Sequence, residues 1–216
     1  MKKYTGWWFW ILSPTFKLAE INKKAHLAKD DGIARLTKGI GRYNHFYFLT
    51  SLILAIVYGI VLGANRHHLP SFADFRILSA FIFGYLIASR AVEIFAAFLI
   101  DAVEKLNGRP STSALKFGDR LHLALKSYLE IMVGFGLLYY LLPDKFFSHP
   151  FGSIIEATYF SAVTMTTVGY GDFSPCHWIS QILVVLQVFC GLTLALVCFT
   201  VYTTLALADL TNKNKE

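Results

Sequence analysis

Residues 166–172 (TTVGYGD) combine two glycines with threonine, valine and tyrosine in a pattern that can bind a cation through the main chain. Gly169 and Gly171 allow backbone angles that turn successive carbonyls toward one axis. Rings of such carbonyls can replace the water shell of a potassium ion. Since one chain supplies one oxygen to each ring, a filter built from this loop requires several copies, and we expect a homotetramer.

Within this loop each side chain has an expected task. The predicted filter residues are Thr167, Val168, Gly169, Tyr170 and Gly171. The carbonyls of residues 167–170 are the predicted potassium ligands, and the Thr167 hydroxyl adds an oxygen at the inner end. Val168 is expected to pack behind the loop, and Tyr170 to hold the ring open by packing outward against its support. The residues predicted to support the filter are Tyr159, Phe160, Val163, Thr166 and Asp172.

The segment before the loop, residues 153–166, is apolar but too short to cross a bilayer, which needs about 20 residues. Gly152 and Ser153 supply a break and a helix cap, so this segment is predicted to be a re-entrant helix. Its C-terminus would point inward, where the negative end of the helix dipole favours a cation. Irregular backbone at membrane depth is tolerated only where protein buries it or it lines water, and a filter meets that condition.

Composition indicates a membrane protein, because the 216 residues are 55% hydrophobic and only 16% charged. The predicted membrane spans are residues 46–63, 77–100, 129–142 with a polar lead-in from 121, and 178–210. The predicted fold is therefore an all-α membrane protein with four transmembrane helices per chain, and the re-entrant helix and filter between the third and fourth.

Charge sets the expected orientation. Lysines and arginines are concentrated before the first span, between the second and third, and in the tail, so both termini are expected in the cytoplasm. The predicted organisation is a basic N-terminal segment (1–45), two spans with their loops (46–120), a pore module (121–210) and a short cytoplasmic tail (211–216). The expected location is the plasma membrane, or the inner membrane if the organism is bacterial, with several passes.

Two interpretations remain open for the N-terminal segment. Its apolar run, residues 7–12, is either an anchor at the membrane interface or a packing contact on a neighbouring element. Its basic residues either bind anionic lipid or serve only to set topology. A nucleic-acid partner is disfavoured because a membrane span follows at once.

The few charges inside the spans argue against a voltage sensor. Arg90 is a single arginine in the second span, and strong voltage gating needs several gating charges. Arg90 and Glu93 are spaced i, i+3 and are expected to pair. Glu130 is expected to snorkel or to pair with Lys126.

The cysteines and histidines near the predicted outer mouth suggest little metal chemistry. Cys190 and Cys198 lie in an apolar run and are expected to pack there. Cys176 with His177 would need fourfold repetition to bind a metal, and we disfavour such a site. His149 and His177 are expected to face the outside, where their protonation would repel cations.

Residues 159–172 (YFSAVTMTTVGYGD), followed by Phe-Ser-Pro, resemble the pore region of the tetrameric potassium-channel family. The resemblance covers about residues 129–210 and is specific in the filter and general in the helices. It places Gly191 where that family often has an inner-helix hinge, although a lone glycine in a membrane helix is more often a packing contact. Val163 stands where some relatives have glutamate, and the Pro-x-Pro of the voltage-gated branch is absent.

The resemblance implies a potassium-selective channel that gives passive transport, with potassium as the permeant ion and no cofactor. One alternative keeps the fold but makes the chain a regulatory or non-conducting subunit of a hetero-oligomer. A secondary transporter is a second alternative, although the sequence shows no inverted repeat. An enzyme is disfavoured, because the sequence contains no metalloprotease, phosphate-binding or nucleophile-elbow motif.

Overall fold

The structure is a computed structural model that describes residues 9–27, 32–65, 71–108 and 113–213. In these ranges the regular structure is helical, apart from an isolated antiparallel bridge between Phe147 and Pro175. The helices are α1 (Phe9–Leu12), α2 (Pro14–Leu27), α3 (Gly32–Asn65), α4 (Ser71–Leu106), α5 (Phe117–Leu141), α6 (Ile154–Met165), α7 (Trp178–Leu192) and α8 (Phe199–Lys213). The predicted all-α class is confirmed.

Three helical stretches in the described ranges are long and apolar enough to cross a membrane: Gly32–Val61, Phe117–Leu141 and Trp178–Ala208. They correspond to the first, third and fourth predicted spans. The second predicted span lies in α4, which has 36 residues but carries Arg90 and Glu93 and is not among the three. Four crossings therefore remain a prediction.

Helix α5 is the centre of the bundle and packs against α3, α4, α6 and α8. The buried core follows its C-terminal half, where a run of large apolar side chains is almost inaccessible to solvent. These residues are Phe135, Leu137, Leu138, Tyr139 and Leu141. Helix α5 begins at Phe117, so the polar lead-in of the third span is part of one continuous helix.

The N-terminal helices pack on α4. The Ser13 hydroxyl donates to the Ser89 carbonyl oxygen at 2.7 Å, and the Tyr85 hydroxyl donates to the Ile11 carbonyl oxygen at 2.8 Å. Of the predicted run 7–12, residues 7 and 8 lie outside the described residues. Trp10 and Ile11 remain exposed, so the run both contacts a neighbouring helix and offers apolar surface.

The last helical stretch is continuous from Trp178 to Lys213, and we call it the inner helix. Between α7 and α8 it contains a six-residue π-helical stretch, Thr193–Cys198, which packs against α4. Such stretches widen the helix locally and are uncommon outside functional regions. Of the predicted tail, residues 214–216 lie outside the described residues.

Candidate functional site

The predicted filter loop begins where α6 ends. Ser153 caps the start of α6, because its hydroxyl accepts a hydrogen bond from the Glu156 N–H at 3.2 Å. The Glu156 carboxylate in turn accepts from the Gly152 N–H at 2.6 Å. This reciprocal cap satisfies two N–H groups that a helix start otherwise leaves unpaired, so a short helix is held at a defined starting point.

The sign of the backbone angle φ alternates from residue to residue along the loop. Thr167, Gly169 and Gly171 have φ of +60°, +57° and +80°, whereas Val168 and Tyr170 lie on the ordinary negative side. A β-branched residue at positive φ is a genuine outlier, and such strain concentrates at functional sites. In a regular strand successive carbonyl groups point to opposite sides. Alternation in the sign of φ allows successive carbonyl groups to point to the same side.

The N–H groups of the loop turn back to the end of α6. Thr167 N donates to the Thr164 carbonyl oxygen at 3.1 Å, and Val168 N donates to the Val163 carbonyl oxygen at 3.0 Å. These bonds satisfy carbonyls that the last turn of a helix leaves free. In the described ranges no hydrogen bond ends on the carbonyl oxygens of residues 167–170, so these oxygens remain available as ligands.

Two of the predicted support residues flank the loop directly. The rings of Tyr159 and Tyr170 stack, with centroids 6.5 Å apart and planes 7° apart. The Asp172 carboxylate interacts electrostatically with the Tyr159 side chain, and that carboxylate accepts from the Phe173 N–H at 3.1 Å. The C-terminal end of the loop is thereby tied to the side of α6.

The other predicted support residues lie elsewhere around α6. Phe160 does not meet Tyr170; it belongs to an aromatic cluster on the other side of α6 with Tyr139, Phe147, Phe151 and Phe173. The Thr166 hydroxyl donates to the Ala162 carbonyl oxygen at 2.8 Å. Val168 was expected to pack behind the loop, but 52% of it is exposed in the single chain. Burial of that side chain would require another surface.

The segment after the loop is bonded to the short 3-10 turn Asp144–Phe146 that follows α5. Cys176 N donates to the Phe146 carbonyl oxygen at 2.8 Å. The His177 ring stacks on Phe146 with centroids 3.9 Å apart, and its Nδ1 accepts from the Ile179 N–H at 3.2 Å. His149 lies nearby with its ring beside the Ser148 hydroxyl. Within the described ranges, no group of three metal-ligating side chains comes together.

Gly191 lies against the end of α6. A Cβ on this residue would lie 2.8 Å from Met165 Cγ and 3.2 Å from the Met165 carbonyl oxygen. Gly191 therefore makes the close packing contact that was one of its two expected roles, and the π-helical stretch begins two residues later. Its role as a hinge stays a prediction.

Behind α6 lies a polar network that the sequence alone did not identify. It links α7 to α6 and α5 through the fully buried side chain of Gln187. Its Nε2 donates to the carbonyl and hydroxyl oxygens of Ser161 at 3.0 and 2.6 Å, and its Oε1 accepts from the Tyr139 hydroxyl at 2.8 Å. The sequence did contain one signal for this network. Gln187 is a lone amide in the apolar run of the inner helix, and a buried polar group needs hydrogen-bond partners.

One cluster of charges inside the bundle is centred on Arg90. Arg90 pairs with Glu93 on its own helix at 2.7 Å, as predicted, and with Glu130 of α5 at 2.8 Å. Its guanidinium also lies 4.2 Å from the centroid of the Tyr47 ring of α3. The prediction for Glu130 was wrong, because its partner is Arg90 and not Lys126. That partner comes from another helix, which sequence spacing does not reveal.

A second charged cluster holds the far end of the inner helix. The Tyr202 hydroxyl of α8 donates to the Asp101 carboxylate of α4 at 2.8 Å. The same carboxylate pairs with Arg120 near the start of α5. Nearer the filter, Cys190 Sγ lies 3.5 Å from the Ala91 carbonyl oxygen. Helix α4 therefore contacts the inner helix on both sides of the π-helical stretch.

Two comparisons with known proteins found a match to this chain. Residues 127–208 match the model of a family described as ion channel. A stretch of 75 residues is 40% identical to Two-pore potassium channel 1 of Arabidopsis thaliana and covers 35% of this chain. The chain spans only 20% of that relative. No solved structure matches significantly.

The matched residues contain the loop, the helices on either side of it and the polar network behind α6. Residues 127–208 are therefore similar to an ion-channel family, and two of the helical stretches long enough to cross a membrane lie largely within them. Helices α1 to α4 lie outside residues 127–208.

Proposed function

We propose that this chain is one subunit of a potassium-selective channel, in which a homotetramer conducts passively through the loop of residues 166–172. The observation that carries the proposal is the alternating sign of φ from Thr167 to Gly171. It leaves a row of carbonyl oxygens without hydrogen-bond donors, and such rows replace the hydration shell of potassium.

A closed ring of subunits accounts for the exposure of the loop. Every residue from 166 to 172 is exposed in the single chain, including 71% of Tyr170. One chain supplies one oxygen to each layer, whereas coordination of a dehydrated ion needs several. Four chains around one axis would complete the layers and cover the apolar side chains of Val168 and Tyr170.

In the proposed topology α4 is the second of four membrane crossings, in addition to the three membrane-length stretches already described. Its Arg90 is matched by Glu93 and Glu130, which lowers the cost of placing a charge in the bilayer. Four crossings with the basic segments inside put both termini in the cytoplasm and the loop on the outer side of a plasma membrane. Since this arginine is held by two carboxylates, it is a poor gating charge, and we propose that voltage does not strongly gate the channel.

The cytoplasmic end of α3 is our proposed contact with anionic lipid. Lys38 and Arg42 are exposed one turn apart, and exposed Phe46 continues the same face. Each basic residue near an anionic surface contributes about 1 kcal/mol. Replacing both by glutamine should weaken the dependence of channel opening on anionic lipid, and an unchanged lipid dependence would refute this contact.

The test of the proposed function is potassium and sodium flux in liposomes that contain only the purified chain. We expect potassium flux in large excess over sodium flux. Absence of homomeric flux would favour the regulatory-subunit alternative. Flux driven uphill by a second ion would favour the transporter.

Three glycine-to-alanine variants show whether the loop is responsible. Gly169→Ala should abolish selective flux, because its φ of +57° disfavours a side chain although the space is open. Gly108→Ala carries the same strain outside the loop, with φ +65° and open space, and Gly118→Ala has open space without positive φ. Both controls should retain selectivity. If all three behave alike, the loop does not carry the selectivity.

A further inference from the structure

We propose that Gln187 is a selectivity-positioning residue, which holds the filter in its conducting shape by clamping α6 between the inner helix and α5. The inference rests on the proposed function, since it concerns the filter of the same channel. Gln187 does not reach the loop, so its effect must pass through α6.

The clamp has a complete set of partners. The Gln187 amide group donates to both oxygens of Ser161, and its oxygen accepts from Tyr139, at distances between 2.6 and 3.0 Å. The Ser161 hydroxyl donates onward to the Met132 carbonyl oxygen of α5 at 2.6 Å. Three helices therefore meet through four hydrogen bonds, and Gln187, Ser161 and Tyr139 are almost entirely buried.

The clamp lies at the part of α6 that positions the loop. Ser161 is one turn before Met165, the last residue of α6, and Met165 itself is pressed against Gly191 of the inner helix. Gln187 and Gly191 are also one turn apart, so the two contacts lie side by side between α6 and α7. A rotation of either helix at this level would break hydrogen bonds between buried groups, which are costly to leave unpaired.

The clamp acts on the filter through the end of α6. The Val163 carbonyl oxygen accepts from the N–H groups of Val168 and Gly169 at 3.0 and 3.4 Å. A shift of α6 therefore moves the first filter residues with it. Filter carbonyls discriminate between ions by their number and arrangement around the ion, so displacement should reduce selectivity before it prevents assembly.

Three variants test the clamp in the full-length protein. Gln187→Leu removes all the amide bonds at similar volume, and Tyr139→Phe removes only one hydroxyl. Hydrogen bonds between membrane helices correspond to about 3- to 20-fold in an equilibrium constant. Gln187→Leu and Tyr139→Phe should each lower the potassium-to-sodium permeability ratio at least about threefold in liposomes. Gln181→Leu is the matched control, since Gln181 lies on the same helix but is exposed, and it should keep the wild-type ratio.

The double variant Tyr139→Phe/Gln187→Leu distinguishes a network from two independent defects. Tyr139→Phe should have little further effect once Gln187 is leucine, because the hydroxyl already lacks its acceptor. An unchanged ratio in Gln187→Leu, or equal effects of Tyr139→Phe in both backgrounds, would overturn the proposal.

A second readout separates this inference from the channel proposal. The thermal dissociation temperature of the purified oligomer should be higher in potassium than in sodium, and Gln187→Leu should reduce that difference. If the wild-type protein shows neither selective flux nor this difference, the proposed function fails. If wild type shows both and Gln187→Leu retains both, only the clamp fails.

Discussion

Replacing Arg90 by glutamine should destabilise the protein more than replacing its partner Glu130. Arg90 is the shared cation of two carboxylates, and the side chains of Arg90, Glu93 and Glu130 are 15%, 10% and 5% exposed. Arg90→Gln leaves both carboxylates without their cation, and breaking a buried pair in this way costs about 3 to 5 kcal/mol. Glu130→Gln leaves Arg90 paired with Glu93, so its expected cost is about 1 to 3 kcal/mol.

The assay is chemical unfolding of the purified protein in detergent. The free energy of unfolding is compared between variants for which it has the same slope against denaturant concentration. The double variant Arg90→Gln/Glu130→Gln should be more stable than Arg90→Gln alone, because one uncompensated carboxylate is gone. Lys126→Gln is the control, since Lys126 is the partner that sequence spacing proposed for Glu130. It should change stability by about 0.5 kcal/mol or less.

Two results would refute this reasoning. If Glu130→Gln cost as much as Arg90→Gln, the cation would not be shared between two carboxylates. If Lys126→Gln reproduced the loss seen in Glu130→Gln, the carboxylate would be paired along α5 and not across to α4.

Three further predictions concern the two ends of the inner helix and its middle. Tyr202→Phe should lower the free energy of unfolding by about 1 kcal/mol. Asp101→Asn should lower it by about 2 to 3 kcal/mol, because it removes the carboxylate that pairs with Arg120 and accepts from Tyr202; equal losses in denaturant unfolding would contradict the arrangement. His177→Ala should lower the free energy of unfolding by about 1 kcal/mol, because His177 Nδ1 accepts from the Ile179 N–H and caps α7; unchanged stability in denaturant unfolding would exclude this cap. Gly191→Ala should displace α6 and lower flux in liposomes about fivefold or more, since about 1 to 3 kcal/mol of overpacking is expected, whereas wild-type flux would show that Met165 moves aside.

Local features of the fold could be predicted from the sequence, because they depend on neighbours along the chain. Ser153 was identified as the cap of α6 from its type and from the preceding glycine. Arg90 and Glu93 were identified as a pair from their i, i+3 spacing. The long helices follow from apolar runs whose length matches a bilayer.

Features that depend on how helices turn toward one another could not be predicted. The bond from Arg90 to Glu130 joins residues 40 positions apart, and the bond from Tyr139 to Gln187 joins residues 48 apart. To predict either pair, one must know how the two helices are rotated about their axes. Thr167 is a different case, because threonine ordinarily avoids positive φ. In the sequence only the nearby Gly169 and Gly171 indicated that this part of the backbone is unusual.

The central claim is that main-chain oxygens of residues 167–170, supplied by four chains, bind potassium. Crystals of the purified assembly grown with thallium, a heavy ion of potassium's size and charge, test it directly through anomalous scattering. The account predicts a row of peaks on a fourfold axis beside these carbonyls. An assembly without that axis, or thallium bound away from the loop, would contradict it.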